Sequence, residues 1–206
     1  MVVFQVDSVF ENQHPIYLFS STGVSLKKYD WIYPIRDTFR SRVYAENFRP
    51  IFYERHTTEG DYSAHNISYF KPEDKLIQME LDNSKDGYRI RSLAYAPTIL
   101  DLQTAVYFAR LLDFQNAVMG DEYNFDIIID GQQYQLPIHY EGKEVIQLNK
   151  NHSYSCYRIS TEVIEGTIFE SSQKIMVWVS DDGKQTPIKV AAPIKVGQVE
   201  ALLKIE

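Results

Sequence analysis

The chain is short of the residues that staple or punctuate a fold. One cysteine, Cys156, in 206 residues excludes an internal disulfide and any cysteine-built metal cage. Glycine and proline together number 17, below the usual ~12%, so no flexible or low-complexity linker is expected. Apolar runs such as Ile175 to Val179 stop at five residues, where a membrane-spanning helix needs about 20. Positive charge is scarce too. With 21 Lys+Arg against 28 Asp+Glu, the net charge is −7 and the pI near 5.3. That balance argues against general nucleic-acid binding, which neutralises phosphates with Lys and Arg. The segment Met1 to Asp7 has neither the basic start nor the long apolar core of a secretory signal, and reads as the middle of a strand. Glycine-rich phosphate loops and Gly-x-Ser-x-Gly nucleophile elbows are missing as well.

What is present points to sheets. Fifteen tyrosines and 11 phenylalanines suit a pleated, half-buried surface. Asp86-Gly87, Asp130-Gly131 and Asp182-Gly183 are hairpin signals, because tight hairpin turns need positive φ and glycine adopts it without a Cβ clash. Glu59-Gly60, Glu141-Gly142 and Glu165-Gly166 are weaker signals of three- to five-residue loops. Between these marks, Ile35, Phe39 and Val43 alternate with Arg36, Arg40 and Arg42, and Tyr134, Leu136, Ile138 and Tyr140 alternate with polar neighbours. Val199, Ala201, Leu203 and Ile205 continue the theme, while Ile175 to Val179 reads as a central strand covered on both faces. From Thr98 to about Phe114, Leu102, Ala105, Val106, Ala109 and Leu112 recur at helical spacing, with Thr98 and Asp101 as a capping box. A short helical turn is also compatible with Ser25 to Tyr33. The expected fold is all-β: about ten strands in a curved antiparallel sheet closing into a barrel-like structure. It forms one domain over residues 1–206, with one main helix near 98–114.

Two groups of side chains could carry chemistry. Arg36, Arg40 and Arg42 share one face of a strand and could hold an anionic ligand through guanidinium forks. Alternatively they pair across strands with carboxylates such as Glu46 or Glu54, at ~0–1 kcal/mol each. Arg89 and Arg91 make a smaller pair of the same kind. Asp37 lies on the opposite, largely apolar face, where a carboxylate must be paired or hydrogen-bonded; Arg110 is a candidate partner. The five histidines, at 14, 56, 65, 139 and 152, form no short-spaced pair, so no metal site is expected. His152 and Cys156 would lie about 13 Å apart on a strand, too far for a catalytic pair.

The carboxy-terminal text is the most distinctive: Val177-Trp178-Val179-Ser180-Asp181-Asp182, Thr186-Pro187-Ile188 and Ile194-Lys195-Val196-Gly197, followed by Val199 and Ala201-Leu202. Upstream stand Tyr33-Pro34-Ile35-Arg36-Asp37 with Ser41, Phe48-Arg49-Pro50, Glu59-Gly60 with Tyr62, and Ile99-Leu100-Asp101 leading into Tyr107-Phe108-Ala109-Arg110. Taken in order over nearly the whole chain, these motifs resemble an exported bacterial family of unknown function, family 3108, common in Bacteroidota. The resemblance implies a periplasmic or cell-envelope location and a barrel-like β fold. It carries over no catalytic or binding residue. Family members usually have a signal peptide and a first strand pair ahead of the region matching Met1. Without that hairpin, the sheet is expected to present an uncovered edge.

Three roles follow in order of preference. The first is a non-catalytic module binding a glycan, a lipid or an envelope partner, with no cofactor, no metal and no nucleic acid. The second is a structural or assembly component of the envelope. The third is a hydrolase using carboxylates such as Asp37 and Glu59, which requires the two groups to converge within about 5 to 10 Å.

Overall fold

A computed structural model describes residues 1–31, 33–162, 174–194 and 197–205. Seven strands follow one another without an intervening α-helix: β1 (Val2–Glu11), β2 (His14–Val24), β3 (Ile35–Tyr44), β4 (Pro50–Glu59), β5 (Tyr62–Lys71), β6 (Leu76–Asn83) and β7 (Arg89–Ala94). Each pairs antiparallel with the next, in chain order. After them come β8 (Ile99–Asp101), helix α1 (Leu102–Phe108), β9 (Glu122–Ile129), β10 (Gln132–Asn149) and β11 (His152–Glu162). The chain ends with β12 (Lys174–Ser180), β13 (Pro187–Ile194) and β14 (Gly197–Leu202). Strands β8 to β14 make the second ladder, again in chain order. The all-β expectation holds, with fourteen strands among the described residues rather than ten. Neither ladder closes on itself there: β1 and β7 end one, β8 and β14 the other.

Local chemistry explains most of the turns. Asp130 and Gly131 turn with φ of 51° and 81°, and a Cβ on Gly131 would sit 2.6 Å from Leu81 Cδ1. Glycine is therefore required there twice over, for φ and for space. The β1–β2 turn does without it: Asn12 and Gln13 both take positive φ, 48° and 68°. Glu141-Gly142 is not a loop. Gly142 has φ 103° inside β10, where the ladder register shifts between Tyr140 and Gly142. Turns and bulges share the same need for positive φ, so the dipeptide alone does not separate them. Glu165-Gly166 lies outside the described residues.

The helix is shorter than its apolar spacing suggested. Ile99, Leu100 and Asp101 are taken by a parallel pairing with Asp126, Ile127 and Ile128 of β9, a departure from all-antiparallel order. Asp101, not Thr98, then caps α1: its Oδ1 accepts the Thr104 N–H at 2.8 Å. A 3₁₀ turn, Ala109–Leu111, ends the segment, and another occupies Lys27–Tyr29. Strand β12 is interior as expected, but only Trp178, Val179 and Ser180 are buried, and Ile175, Met176 and Val177 are half-buried.

The chain gathers into two compact units, residues 1–108 with 125–134, and residues 109–124 with 135–206. In the first, Tyr53, Phe70, Ile77, Met79, Leu81, Ile99 and Ile128 form the main core. A second nucleus joins Phe19, Val43 and Tyr107, with the Phe19 and Tyr107 rings stacked at 4.0 Å and 12°. Helix α1 thus docks through Tyr107. In the second unit, Ile146, Cys156, Trp178, Ile188 and Ala191 pack together.

Candidate functional site

The arginine ladder lies on the outer face of β3, and each member has a carboxylate of its own chain. Arg40 Nη1 is 3.0 Å from Glu54, Arg36 pairs with Asp30, and Arg42 pairs with Glu11. Arg89 pairs with Asp86 at 3.2 Å, and Arg91 reaches the Gly131 carbonyl at 3.5 Å. Each of these guanidinium groups therefore has at least one partner within the chain.

Asp37 faces inward and meets a polar row. On β4, Arg55, Thr57 and Glu59 alternate onto one face, because successive strand residues point to opposite sides. Asp37 is the direct cross-strand partner of Thr57, and the Thr57 hydroxyl bonds to Asp37 and approaches Glu59 Oε1 at 3.4 Å. Both carboxyl groups thus reach one hydroxyl, which sets their oxygens within about 6 Å of each other. Burial pushes the pKa of both above the ordinary carboxylate range, and for Glu59 the Asp37 charge adds to the rise. Arg110, considered as a partner for Asp37, instead donates to the carbonyls of Lys184 and Gln185 at 2.9 and 3.2 Å.

Beside this pair lies a third acid. Asp130, lifted on the Asp-Gly turn, accepts Arg55 Nη1 on both oxygens at 2.9 Å and Asn66 Nδ2 at 2.6 Å. Tyr33, Tyr62 and Tyr134 stand around the group, and burial raises the phenol pKa of each. Tyr33 packs under the β4–β5 turn so closely that a Cβ on Gly60 would lie 2.7 Å from its ring. Glu59 and Gly60 are legible in the sequence as a turn, but Asp130 comes from 75 residues away from Arg55, and no local pattern connects them.

The second unit holds a cavity of about 360 Å³ open to solvent. Asp113, Phe114, Lys143, Tyr157, Asp181 and Gln185 are among its walls. Lys143 Nζ lies 2.7 Å from Asp181 Oδ2 and 4.8 Å from the centre of the Tyr157 ring. The pair with Lys143, then the bond to Tyr157, holds the Asp181 carboxyl below its usual range. Burial, then the bond to Asp181, pushes the Tyr157 phenol up to about 12. Gln185 donates to the Leu112 carbonyl at 2.8 Å, while its Oε1 is buried with no partner. Phe114, 1% exposed, backs the site and stacks on Tyr140 at 14°. None of these six was singled out for a site from the sequence. Aromatic and acidic residues in turns occur throughout this chain, so only their convergence marks them.

Among the described residues no group of three or more His, Cys, Asp or Glu is arranged to hold a metal ion. Likewise, no helix there is long and apolar enough to cross a membrane. Cys156 is fully buried, its thiol raised to about 11 by burial, and it touches the Tyr154 carbonyl at 3.5 Å. His152 bonds Asn149 instead of the cysteine.

No curated protein matches this sequence significantly. Among solved structures, it is similar to the crystal structure of a beta-barrel-like protein of domain of unknown function DUF1849 from Brucella abortus. That likeness has a TM-score of 0.55 at 7% identity and covers 98% of this chain and 87% of the other. It bears on the fold alone. The model of DUF3108, described as a protein of unknown function, matches residues 1–204, and the chain belongs to that family.

Proposed function

We propose that this protein is a non-catalytic module that binds a glycan in the bacterial cell envelope. The observation that carries the reading is the open cavity edged by Asp113, Lys143, Tyr157 and Asp181. Asp113 and Asp181 accept hydroxyls and Lys143 donates, while the Tyr157 oxygen, whose proton goes to Asp181, accepts. The same lining disfavours an acyl chain, which would desolvate these groups without pairing them. A volume near 360 Å³ suits one or two sugar rings. Export and an origin in Bacteroidota belong to this reading through the family resemblance; fractionation of the native cell tests the location.

Titration calorimetry against a panel of neutral and acetamido oligosaccharides tests the binding. At least one should bind, and Tyr157→Phe or Lys143→Met should weaken it about tenfold. A panel that gives no heat, or binding untouched by both substitutions, overturns the reading.

A second reading is a carboxylate-dependent glycoside hydrolase, favoured by the meeting of Asp37 and Glu59 at Thr57. Oxygens at most about 6 Å apart fall short of the roughly 6.5–9.5 Å of inverting enzymes, and a carboxyl whose pKa burial raises suits a general acid. Chromogenic glycosides would then be cleaved by the native protein and about 100-fold or more slower by Asp37→Asn or Glu59→Gln.

A further inference from the structure

The edge strand β1 is built unlike a protected edge. Natural edges are blunted by charged side chains, lysine above all, and by proline, bulges or short length. Strand β1 has ten residues in unbroken register with β2, without Lys, Pro or bulge, and its charges are Asp7 and the terminal Glu11. All ten are exposed. On the face shared with Phe19 and Tyr17 stand Val2, Phe4, Val6 and Phe10, at 51%, 50%, 49% and 73% exposure. Val3 and Val9 are exposed on the other face at 45% and 37%. The Met1 carbonyl accepts the Val24 N–H at 2.8 Å, so odd-numbered residues bond β2 and even-numbered ones turn their N–H and C=O to the open side.

We propose that this edge pairs with β1 of a second copy, antiparallel about a twofold axis at Val6. In that register Val2 lies opposite Phe10, Phe4 opposite Ser8, and Val6 opposite itself. On the other face Val3 lies opposite Val9 and Gln5 opposite Asp7. Apolar meets apolar at both ends, and no carboxylate faces another. The Gln5 amide already bonds Asp7 within the chain at 2.8 Å, so it can serve the second copy's Asp7 equally. Glu11 is held by Arg42. Neighbouring registers fail on the same test. An axis at Asp7 opposes two carboxylates, one at Gln5 sets Val3 against Asp7, and one at Ser8 sets Val9 against Asp7. The outward groups of Val2, Phe4, Val6, Ser8 and Phe10 make five close pairs, about ten hydrogen bonds in all. Because both copies use the same edge, the contact closes as a dimer and does not propagate. The far edge of the ladder, β7, has six residues and carries Arg89 and Arg91, which suits it poorly to head-to-tail pairing.

Sedimentation equilibrium on the full chain, from about 1 to 300 μM, tests the assembly. The native protein should show twice the monomer mass, and Val6→Lys, which sets two ammonium groups across the axis, should weaken association on the order of 100-fold. A native protein that stays monomeric throughout overturns the proposal, as does a dimer unaffected by Val6→Lys in a variant with native circular dichroism. If that variant misfolds, spin labels on Val6→Cys and Ser8→Cys decide: the intermolecular distance should be shorter for the label at position 6. Equal or reversed distances overturn the proposed register. Cys156 is buried and does not compete for the label.

Discussion

Arg55 and Asp130, 75 residues apart, form a two-oxygen ion pair in which one guanidinium nitrogen lies 2.9 Å from both carboxylate oxygens. The Arg55 side chain is 8% exposed and that of Asp130 33%. The pair ties the β9–β10 turn to the inner face of β4, with Asn66 as a third member.

A charge so enclosed is costly once its partner is gone. Asp130→Ala leaves the guanidinium buried and should cost about 3 kcal/mol in urea unfolding. Replacing Arg55 with methionine in the same protein removes the stranded charge, so Arg55→Met with Asp130→Ala should recover most of the loss. A double variant no more stable than Asp130→Ala would show that the pair does not act as a unit.

Asp101 gives a signed pH dependence. Fully buried, it accepts bonds from Ser41 Oγ, Thr104 Oγ1 and the Thr104 N–H, yet burial outweighs these and raises its pKa to about 6. A carboxyl raised on folding stabilises when protonated: its contribution is complete below the unfolded pKa of 3.8 and is lost as pH rises through about 6. The loss is on the order of 3 kcal/mol. Asparagine does not titrate there, so Asp101→Asn should cost more at pH 4 than at pH 7. Equal costs at the two pH values would contradict the assignment.

Cys156 is the internal reporter of β11. Its thiol is fully buried and raised to about 11, so almost no thiolate exists at pH 8. Reaction with a disulfide reagent should be undetectable on the folded protein and should become rapid in urea, with the same midpoint as the loss of circular dichroism. Fast labelling without denaturant would mean that β11 opens locally.

The outcome at individual residues shows where reading the sequence succeeds. Asp130-Gly131 and Asp182-Gly183 turn as expected, because the demand for positive φ is local and glycine meets it. The same demand misleads at Glu141-Gly142, which became a bulge within β10. In α1 the spacing of apolar residues identified a helix but only part of its buried face: Ala105 is buried and Leu102 packs on the core as expected, but Gln103 and Thr104 are buried too while Val106 is 42% exposed. Ser21 donates to Gln103 at 2.9 Å, and Thr104 bonds Asp101, so polar groups with partners share the buried face with the apolar ones. Asp37 was legible as an inward carboxylate. Its convergence with Glu59 was legible only as a requirement, since it depends on the β3–β4 register.

By itself the sequence determined that this chain would be extended, turn-punctuated and mostly antiparallel, because period-two patterning and glycine φ act over a few residues. The tertiary structure alone decided which polar groups meet. Asp130 reaches Arg55, and the 112–115 and 181–185 segments frame one cavity, through strand registers summed over dozens of residues. A shift of one residue in any of those registers turns a side chain to the opposite face, and no short window of sequence carries that information.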